Sequence, residues 1–187
     1  AKAILSVAAK AVAAALAAGD VNAAQAIASA AIKATSSTPG AATQVAQNLT
    51  AAGLAVGKGQ AIASAVATAA VATGNPSVVS AVASGAVQAA IAAGKGVGAI
   101  SQAVTAAALG SNQPTMVQAA TQSMASAAIS SGNLGFMTEV THGAGMAAAN
   151  ITDGALIGAV NSGVDGAVAA KGGNAAFTTA YNTGTEK

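Results

Sequence analysis

Alanine fills about a third of this 187-residue chain, and this one residue type limits what the chain can fold into. Ala has the highest intrinsic helix propensity and loses almost no side-chain entropy on burial. Small side chains also let two helix backbones approach closely, although a buried methyl group contributes far less free energy than a buried Leu side chain. The composition therefore predicts many short helices that pack tightly around a thin core.

Side chains that usually carry chemistry are scarce. The chain has no Cys, Trp or Arg, and charged residues make up only 6% of it, against roughly 25% in ordinary globular proteins. The absence of Cys excludes disulfides and thiolate sites. With a net charge of +2 and no Arg, nucleic acid is not an expected partner, because bidentate recognition of phosphates and base edges depends on Arg. The surface must be built from small polar residues, and its weak charge repulsion favours association at high concentration.

Apolar spacing and helix-breaking residues divide the chain into eight or nine predicted helices. Val45, Leu49, Ala52 and Val56, for example, follow the i, i+4, i+7 spacing of one helix face. The predicted helices are 3–18, 21–35, 41–56, 60–73, one opening at 77, 97–109, one opening at 115, a shorter one opening at 136, and 152–170. We expect an all-α protein, either a bundle or a stacked array of helical hairpins. A β-solenoid would suit the Gly, Ser, Thr and Asn content, but the helix-period stripes favour helices.

Short stretches of sequence recur at nearly constant offsets. The stretch Gln25–Ser29 recurs 35 residues later as Gln60–Ser64, and Ala61–Val66 recurs in a looser form 38 residues later as Ala99–Val104. The tripeptide Gly57–Gly59 recurs 37 residues later as Gly94–Gly96. A period in the mid-thirties is typical of a helix–turn–helix unit. The sequence therefore predicts a degenerate repeat of helical hairpins.

The composition changes in the last third of the chain. We expect an Ala-rich helical repeat region over 1–132, a Gly-rich helical region of the same domain over 133–171, and a loose tail over 172–187. The predicted helix 152–170 contains four Gly, each of which costs up to about 1 kcal/mol relative to Ala. This helix is therefore either buried where only Gly fits or partly irregular. The pair Gly154 and Gly158 has the spacing that lets helices approach closely in membranes.

Few residues could form a catalytic or metal site. Glu139 and His142 have the i, i+3 spacing of half a metal or acid–base site, but a second ligand pair is missing. Asp153 and Asp165 lie about 18 Å apart along one helix, too far for a paired carboxylate mechanism. The chain has no Gly-x-Ser-x-Gly motif for a nucleophilic Ser. We therefore expect no enzymatic activity, no catalytic or metal-binding residues and no cofactor.

Other polar motifs have ordinary structural interpretations. The stretch Gly94–Gly98 lacks the Gly-Lys-Ser/Thr ending of a phosphate-binding loop and is expected to end a helix. Lys33, Lys58, Lys95 and Lys171 also lie near predicted helix ends, where a cation complements the helix dipole. Asn48 and Asn150 begin glycosylation sequons. Two sequons are expected by chance in a chain this rich in Ser and Thr. Whether either Asn is glycosylated stays open.

The stretches Gln60-Ala-Ile-Ala-Ser-Ala-Val66 and Ser77-Val-Val-Ser-Ala-Val-Ala-Ser84, with Gly-Asn or Gly-Ser breaks between helices, resemble the helical repeat domains of spider-silk proteins. The resemblance lies in composition and covers most of residues 1–132. It implies a soluble helical unit that is stored concentrated in a secreted structural material. We therefore expect a non-enzymatic, self-assembling protein that is extracellular and has itself as its partner. Membrane insertion is not expected, because polar residues interrupt the charge-free stretches.

Ice binding is the alternative function. Ala-rich helical antifreeze proteins have a similar composition and carry Thr every eleven residues on a flat face. Here Thr141 and Thr152 have that spacing once. The five other Thr considered, which do not have it, are Thr43, Thr50, Thr68, Thr73 and Thr105. An ice surface is the partner that this alternative implies.

The substitution Val66→Asp tests the predicted core stripes. Val66 and Val104 lie on the apolar stripes of the helices predicted at 60–73 and 97–109. Because an unpaired buried carboxylate costs several kcal/mol, we expect Val66→Asp or Val104→Asp to abolish cooperative thermal unfolding, followed by circular dichroism. An unchanged melting curve in both variants would show that the stripes are misplaced.

Overall fold

The computed structural model is all-α and describes residues 2–171 together with Ala176 and Thr179. Within these residues there are nine helices and no strand, and 83% of the structure is helical. The helices are α1 (Lys2–Ala17), α2 (Val21–Thr35), α3 (Pro39–Ala55), α4 (Gly59–Val71), α5 (Pro76–Ala93), α6 (Val97–Leu109), α7 (Pro114–Ser130), α8 (Leu134–Ala148) and α9 (Gly154–Ala170). The predicted all-α fold is therefore confirmed. The tail predicted at 172–187 lies outside the described residues except for Ala176 and Thr179, which are helical.

The helices are stacked as hairpins in two layers. Odd-numbered helices follow one another in one layer, with α1 on α3, α3 on α5, α5 on α7 and α7 on α9. Even-numbered helices form the other layer, with α2 on α4, α4 on α6 and α6 on α8. Consecutive helices connect the layers, so each hairpin packs mainly on its neighbours in the stack. Of the two predicted arrangements, the chain has adopted the stacked array.

The repeat has a period of 37–38 residues. In the odd layer, α3, α5 and α7 begin at Pro39, Pro76 and Pro114, which are 37 and 38 residues apart. The predicted offset of 35 is out of register, because Gln25 is the fifth residue of α2 whereas Gln60 is the second residue of α4. A shift of about one helical turn returns nearly the same face, so an Ala-rich sequence also matches itself one turn away from the structural alignment.

Three of the turns between helices share one hydrogen-bonding pattern. The hydroxyl groups of Thr73, Ser111 and Ser131 each donate to the carbonyl three residues earlier, at 2.6 Å. The same hydroxyls accept from the backbone N–H two residues later, at 3.1–3.3 Å. In each turn, the residue directly after the hydroxyl residue has a positive φ angle: Gly74 (68°), Asn112 (54°) and Gly132 (72°). A hydroxyl residue followed by Gly or Asn thus reverses the chain here.

Side-chain caps and prolines begin several helices. Asp20 caps α2, because its Oδ1 accepts from Ala23 N at 2.9 Å. Pro39, Pro76 and Pro114 each stand at the first position of an odd-numbered helix, where a missing N–H costs nothing and the fixed φ favours helix formation. Every Pro of the chain therefore marks a helix start in the odd layer.

A thin row of larger side chains runs between the layers. The predicted core residues Val66 and Val104 are at most 1% exposed. The largest fully buried side chains are Ile32, Leu49, Ile62, Ile100, Met116, Met124 and Met137. Between them, Ala fills most of the remaining buried positions. The predicted stripes therefore form the core of the array, except at Val56, which follows the end of α3 and is 48% exposed.

Helix α5 is the central member of the odd layer. In the described part of the chain it is the one helix long and apolar enough to cross a membrane by length and composition, with a mean hydropathy of 1.4 over 18 residues. Of this stretch, 56% is buried inside the array between α3 and α7. A core helix of a packed protein has the same character.

Glycine allows direct contact between neighbouring backbones within a layer. A Cβ added to Gly85 in α5 would strike the carbonyl oxygen of Thr43 in α3, and one added to Gly143 in α8 would strike that of Gly98 in α6. In α9, a Cβ on Gly163 would strike the hydroxyl of Thr121 in α7. The Gly-rich α9 is therefore a regular helix that contains one buried Gly where only Gly fits.

The predicted close-packing pair of α9 is wrong. Gly154 and Gly158 are both exposed, and a Cβ at either position would meet no atom within 4 Å. Gly163 makes the close contact instead, because it faces α7 whereas the other two face solvent. Helix α8, which we expected to be shorter than the others, has an ordinary length of 15 residues.

In the part of the chain that the structure describes, two buried hydroxyl groups lack hydrogen-bond partners. Thr50 and Thr105 are fully buried, and their Oγ1 atoms accept and donate no hydrogen bond. The equally buried Thr141 donates to the carbonyl oxygen of Met137 at 3.1 Å. An unsatisfied buried hydroxyl costs roughly 1–3 kcal/mol, so Thr50 and Thr105 lower the stability of the array.

The two glycines Gly163 and Gly158 form a matched pair for testing backbone contact, since both lie within α9. We expect Gly163→Ala to lower the free energy of unfolding by about 1–3 kcal/mol, because the added methyl group forces α9 away from α7. Gly158→Ala adds the same group in open space and should raise the free energy of unfolding by up to about 1 kcal/mol. Urea unfolding followed by circular dichroism measures both. Equal effects of the two substitutions would contradict the close contact.

The orphaned hydroxyl of Thr105 gives a second stability prediction. Thr105→Val removes an unsatisfied polar atom and keeps the side-chain shape, so we expect the free energy of unfolding to rise by about 1 kcal/mol. The control Thr141→Val removes a hydroxyl that is already bonded and should leave stability unchanged or lower it. Thermal or urea unfolding of both variants checks this. A Thr105→Val protein less stable than its control would mean that the hydroxyl has a partner.

Candidate functional surfaces

The first candidate pair, Glu139 and His142, lies on α8. Glu139 Oε2 accepts from Gly98 N at 3.2 Å, at the beginning of α6. A carboxylate there complements the positive end of the helix dipole, so Glu139 connects α8 to α6. His142 lies one turn further and is half-buried. Among the residues that the structure describes, no group of three or more His, Cys, Asp or Glu could hold a metal ion.

The second candidate pair, Asp153 and Asp165, belongs to α9. Asp153 caps this helix, and its Oδ1 accepts from Ala155 N at 2.8 Å. Asp165 is exposed on the same continuous helix twelve residues later, which corresponds to about 18 Å. The two carboxylates are therefore as far apart as the sequence predicted, and Asp153 has a structural role.

The glycine–lysine motifs end helices as predicted. Gly94 has a φ of 64°, and its N–H donates to the carbonyl oxygens of Ala90 and Ile91 at the end of α5. Gly57, after α3, has a similar φ of 72°. Both motifs join an odd-numbered helix to the even-numbered helix that follows. They recur because they form the same turn in successive hairpins of the repeat.

The threonines with eleven-residue spacing do not share a solvent face. Thr141 is buried at 2% exposure, whereas Thr152 is exposed in the connection between α8 and α9. Thr50 and Thr105 are fully buried. The regular Thr pattern of helical antifreeze proteins is therefore not formed by these residues.

A hydroxyl-lined groove crosses the outer face of the odd layer. Its polar lining residues are Thr43, Ser77, Ser80, Ser84, Gln122, Ser123 and Ser126. Within it, the hydroxyl groups of Ser80 on α5 and Ser123 on α7 are hydrogen-bonded to each other. All the described residues that line it are uncharged. Sequence analysis missed this groove, although the spacing of Ser77, Ser80 and Ser84 marks one helix face.

The outer face of the even layer uses amide and hydroxyl side chains to join helices. Gln25 Nε2 donates to the carbonyl oxygen of Ala61 at 3.3 Å, and Ser29 Oγ donates to that of Ala65 at 3.4 Å. These bonds run from α2 to the backbone of α4. The stretch Gln25–Ser29, noted for its recurrence, therefore contributes contacts between hairpins.

An apolar groove lies at the end of the array formed by α1 and α2. We call this surface the end groove, and its seven described lining residues are Val7, Ala8, Ala11, Ile27, Ala30, Ala31 and Ala34. Val7 is 67% exposed and Ile27 is half-buried. The other side of this hairpin packs on α3 and α4. The end groove is thus an apolar helix-pair surface that no described residue covers.

Comparison with known proteins adds no functional information. No protein-family model matches the chain, and no curated protein or solved structure matches it either. The function must therefore be argued from the surfaces. The surfaces described above are the end groove, the hydroxyl-lined groove and the outer face of the even layer.

Proposed function

We propose that this protein is a non-enzymatic structural unit that associates with copies of itself in an extracellular silk-like or matrix-like material. The observation that carries the proposal is the end groove. Solenoid repeats bury their apolar faces against neighbouring repeats, and the described residues that line the groove on the α1–α2 hairpin all carry apolar side chains. An apolar helix-pair face that no described residue covers favours contact with another helical unit.

The outer faces of the array support the same proposal. Uncharged residues, mostly Ser, Thr, Gln and Ala, line the described grooves on both layers, and charged residues make up 6% of the chain. Such surfaces are hydrated but repel one another weakly, so protein units can be stored at high concentration and still associate. The compositional resemblance to spider-silk repeat domains agrees with a material of this kind and with secretion.

Ice binding is the second candidate, and the hydroxyl-lined groove favours it. Ser77, Ser80 and Ser84 follow one another at helical spacing on α5, beside the Ser123 hydroxyl of α7. An uncharged row of hydroxyls is a surface that binds water through hydrogen bonds. The row uses Ser, which lacks the methyl group of Thr, and this difference makes ice binding the weaker of the two proposals.

Sedimentation velocity combined with a freezing assay separates these functions. We expect the average mass of the wild-type protein to rise steadily over roughly two orders of magnitude in protein concentration, as weak self-association requires. We expect no thermal hysteresis in the same samples. A protein that stays monomeric throughout would contradict the structural proposal, and freezing-point depression with shaped ice crystals would support the second candidate.

A further inference from the structure

We infer that Asn150 is an acceptor for N-linked glycosylation in the folded protein and that Asn48 is not. The inference rests on the secretion that the proposed function includes, because N-linked glycans are carried on surface loops of secreted proteins. The two sequons are alike in sequence, since each has an aliphatic residue between Asn and Thr. Two observations separate them: the accessibility of each sequon in the folded chain, and the departure of one connection from the repeat.

N-linked glycosylation requires access to both ends of a sequon. The side-chain amide nitrogen of Asn forms a bond to C1 of an oligosaccharide that is carried on a lipid diphosphate. The bond between C1 and the diphosphate oxygen breaks, and the leaving lipid diphosphate takes the proton that the amide loses. Because the motif also requires a hydroxyl residue at its third position, the transferase must reach that hydroxyl as well as the amide.

The sequon of Asn150 lies in the connection between α8 and α9. Asn150 and Thr152 are both exposed, and the backbone of residues 151–153 is neither helical nor a turn. Asp153, which follows the sequon, has extended backbone angles (φ −74°, ψ 110°) and caps α9. The acceptor amide and the hydroxyl are therefore both accessible without a change in any helix.

The sequon of Asn48 lies within α3 and is only half accessible. Asn48 is exposed, but Thr50 is fully buried, and so is its hydroxyl oxygen. Leu49 between them is 1% exposed. Helix α3 packs on α1, α4 and α5, so a transferase reaches the Thr50 hydroxyl only when these contacts are lost. Glycosylation of Asn48 therefore requires unfolding of the array.

The connection that contains Asn150 departs from the repeat. The earlier connections from an even-numbered to an odd-numbered helix have three or four residues, and a Pro begins the helix after each of them. These connections are 36–38, 72–75 and 110–113. The connection 149–153 has five residues, and Gly154 begins the helix that follows. The requirements of the repeat therefore do not account for Asn150 and Thr152 at this position.

A glycan on Asn150 is compatible with the surfaces that the proposed function uses. The described lining residues of the end groove belong to α1 and α2, and those of the hydroxyl-lined groove belong to α3, α5 and α7. None of them lies in the connection 149–153. A glycan is bulky and solubilising, and charged residues make up only 6% of the chain. The modification therefore adds hydration for storage at high concentration and leaves both grooves free.

Enzymatic glycosylation of the folded protein tests the assignment. Purified, unglycosylated protein is incubated with a eukaryotic oligosaccharyltransferase and a lipid-linked oligosaccharide, and mass spectrometry of the intact protein counts the attached glycans. We expect one glycan on the wild type and on Asn48→Gln, and none on Asn150→Gln. The two substitutions are matched, because each replaces an exposed Asn by Gln. Circular dichroism confirms that each variant is folded.

An unfolded chain provides the control for accessibility. The full-length Val66→Asp variant, in which we expect the array to be lost, should accept a second glycan at Asn48. A Val66→Asp chain that is unfolded by circular dichroism and still accepts one glycan would show that burial of Thr50 is not what protects Asn48.

The other results separate the inference from the proposed function. Folded wild-type protein that accepts no glycan, or Asn150→Gln protein that still accepts one, would overturn the inference. Protein isolated from its source with an unmodified Asn150 would overturn the modification in vivo. None of these results bears on self-association, which sedimentation velocity measures separately. A protein that is monomeric at every concentration but accepts a glycan on Asn150 would overturn the proposed function and leave the acceptor assignment standing.

Discussion

Direct contact between helix backbones is the interaction on which this array depends. At Gly85, Gly143 and Gly163 a neighbouring helix occupies the space of a missing Cβ, and elsewhere a methyl group is often all that separates two helices. Short distances compensate for small side chains, because many weak dispersion contacts accumulate over a closely fitted surface. The core can therefore be thin without being loose, and its specificity comes from the shape of the backbone.

The sequence was sufficient to predict the helices and the larger core residues. The helix-period stripes placed Val66 and Val104 correctly in the core, and Gly and Pro marked most of the boundaries between helices. Register was harder to predict, because Gln25 and Gln60 match in sequence although they lie about one turn apart in the repeat. Likewise, Gly158 and Gly163 are indistinguishable until the face that meets α7 is known. Identical small residues carry little information about which side of a helix is covered.

For the candidate sites, too, the sequence predicted positions along a helix but not the contacts between helices. Sequence reasoning placed Asp153 and Asp165 far apart on one helix, as they are, but it gave Glu139 no structural partner. The N–H of Gly98 that Glu139 contacts is 41 residues away, and only the stacking of α8 on α6 reveals it. The end groove was also beyond sequence analysis, because Val7 and Ile27 have the same apolar character as residues that are covered.

The two-layer order of the helices has a mechanical consequence. Because each hairpin touches mainly its neighbours, stability is distributed along the stack as a series of local terms. Under tension, hairpins could detach one after another from a free end, each releasing a length of slack chain and absorbing work. A strand made of such units would stretch in steps before it ruptured, and it could recover its length by refolding the same hairpins.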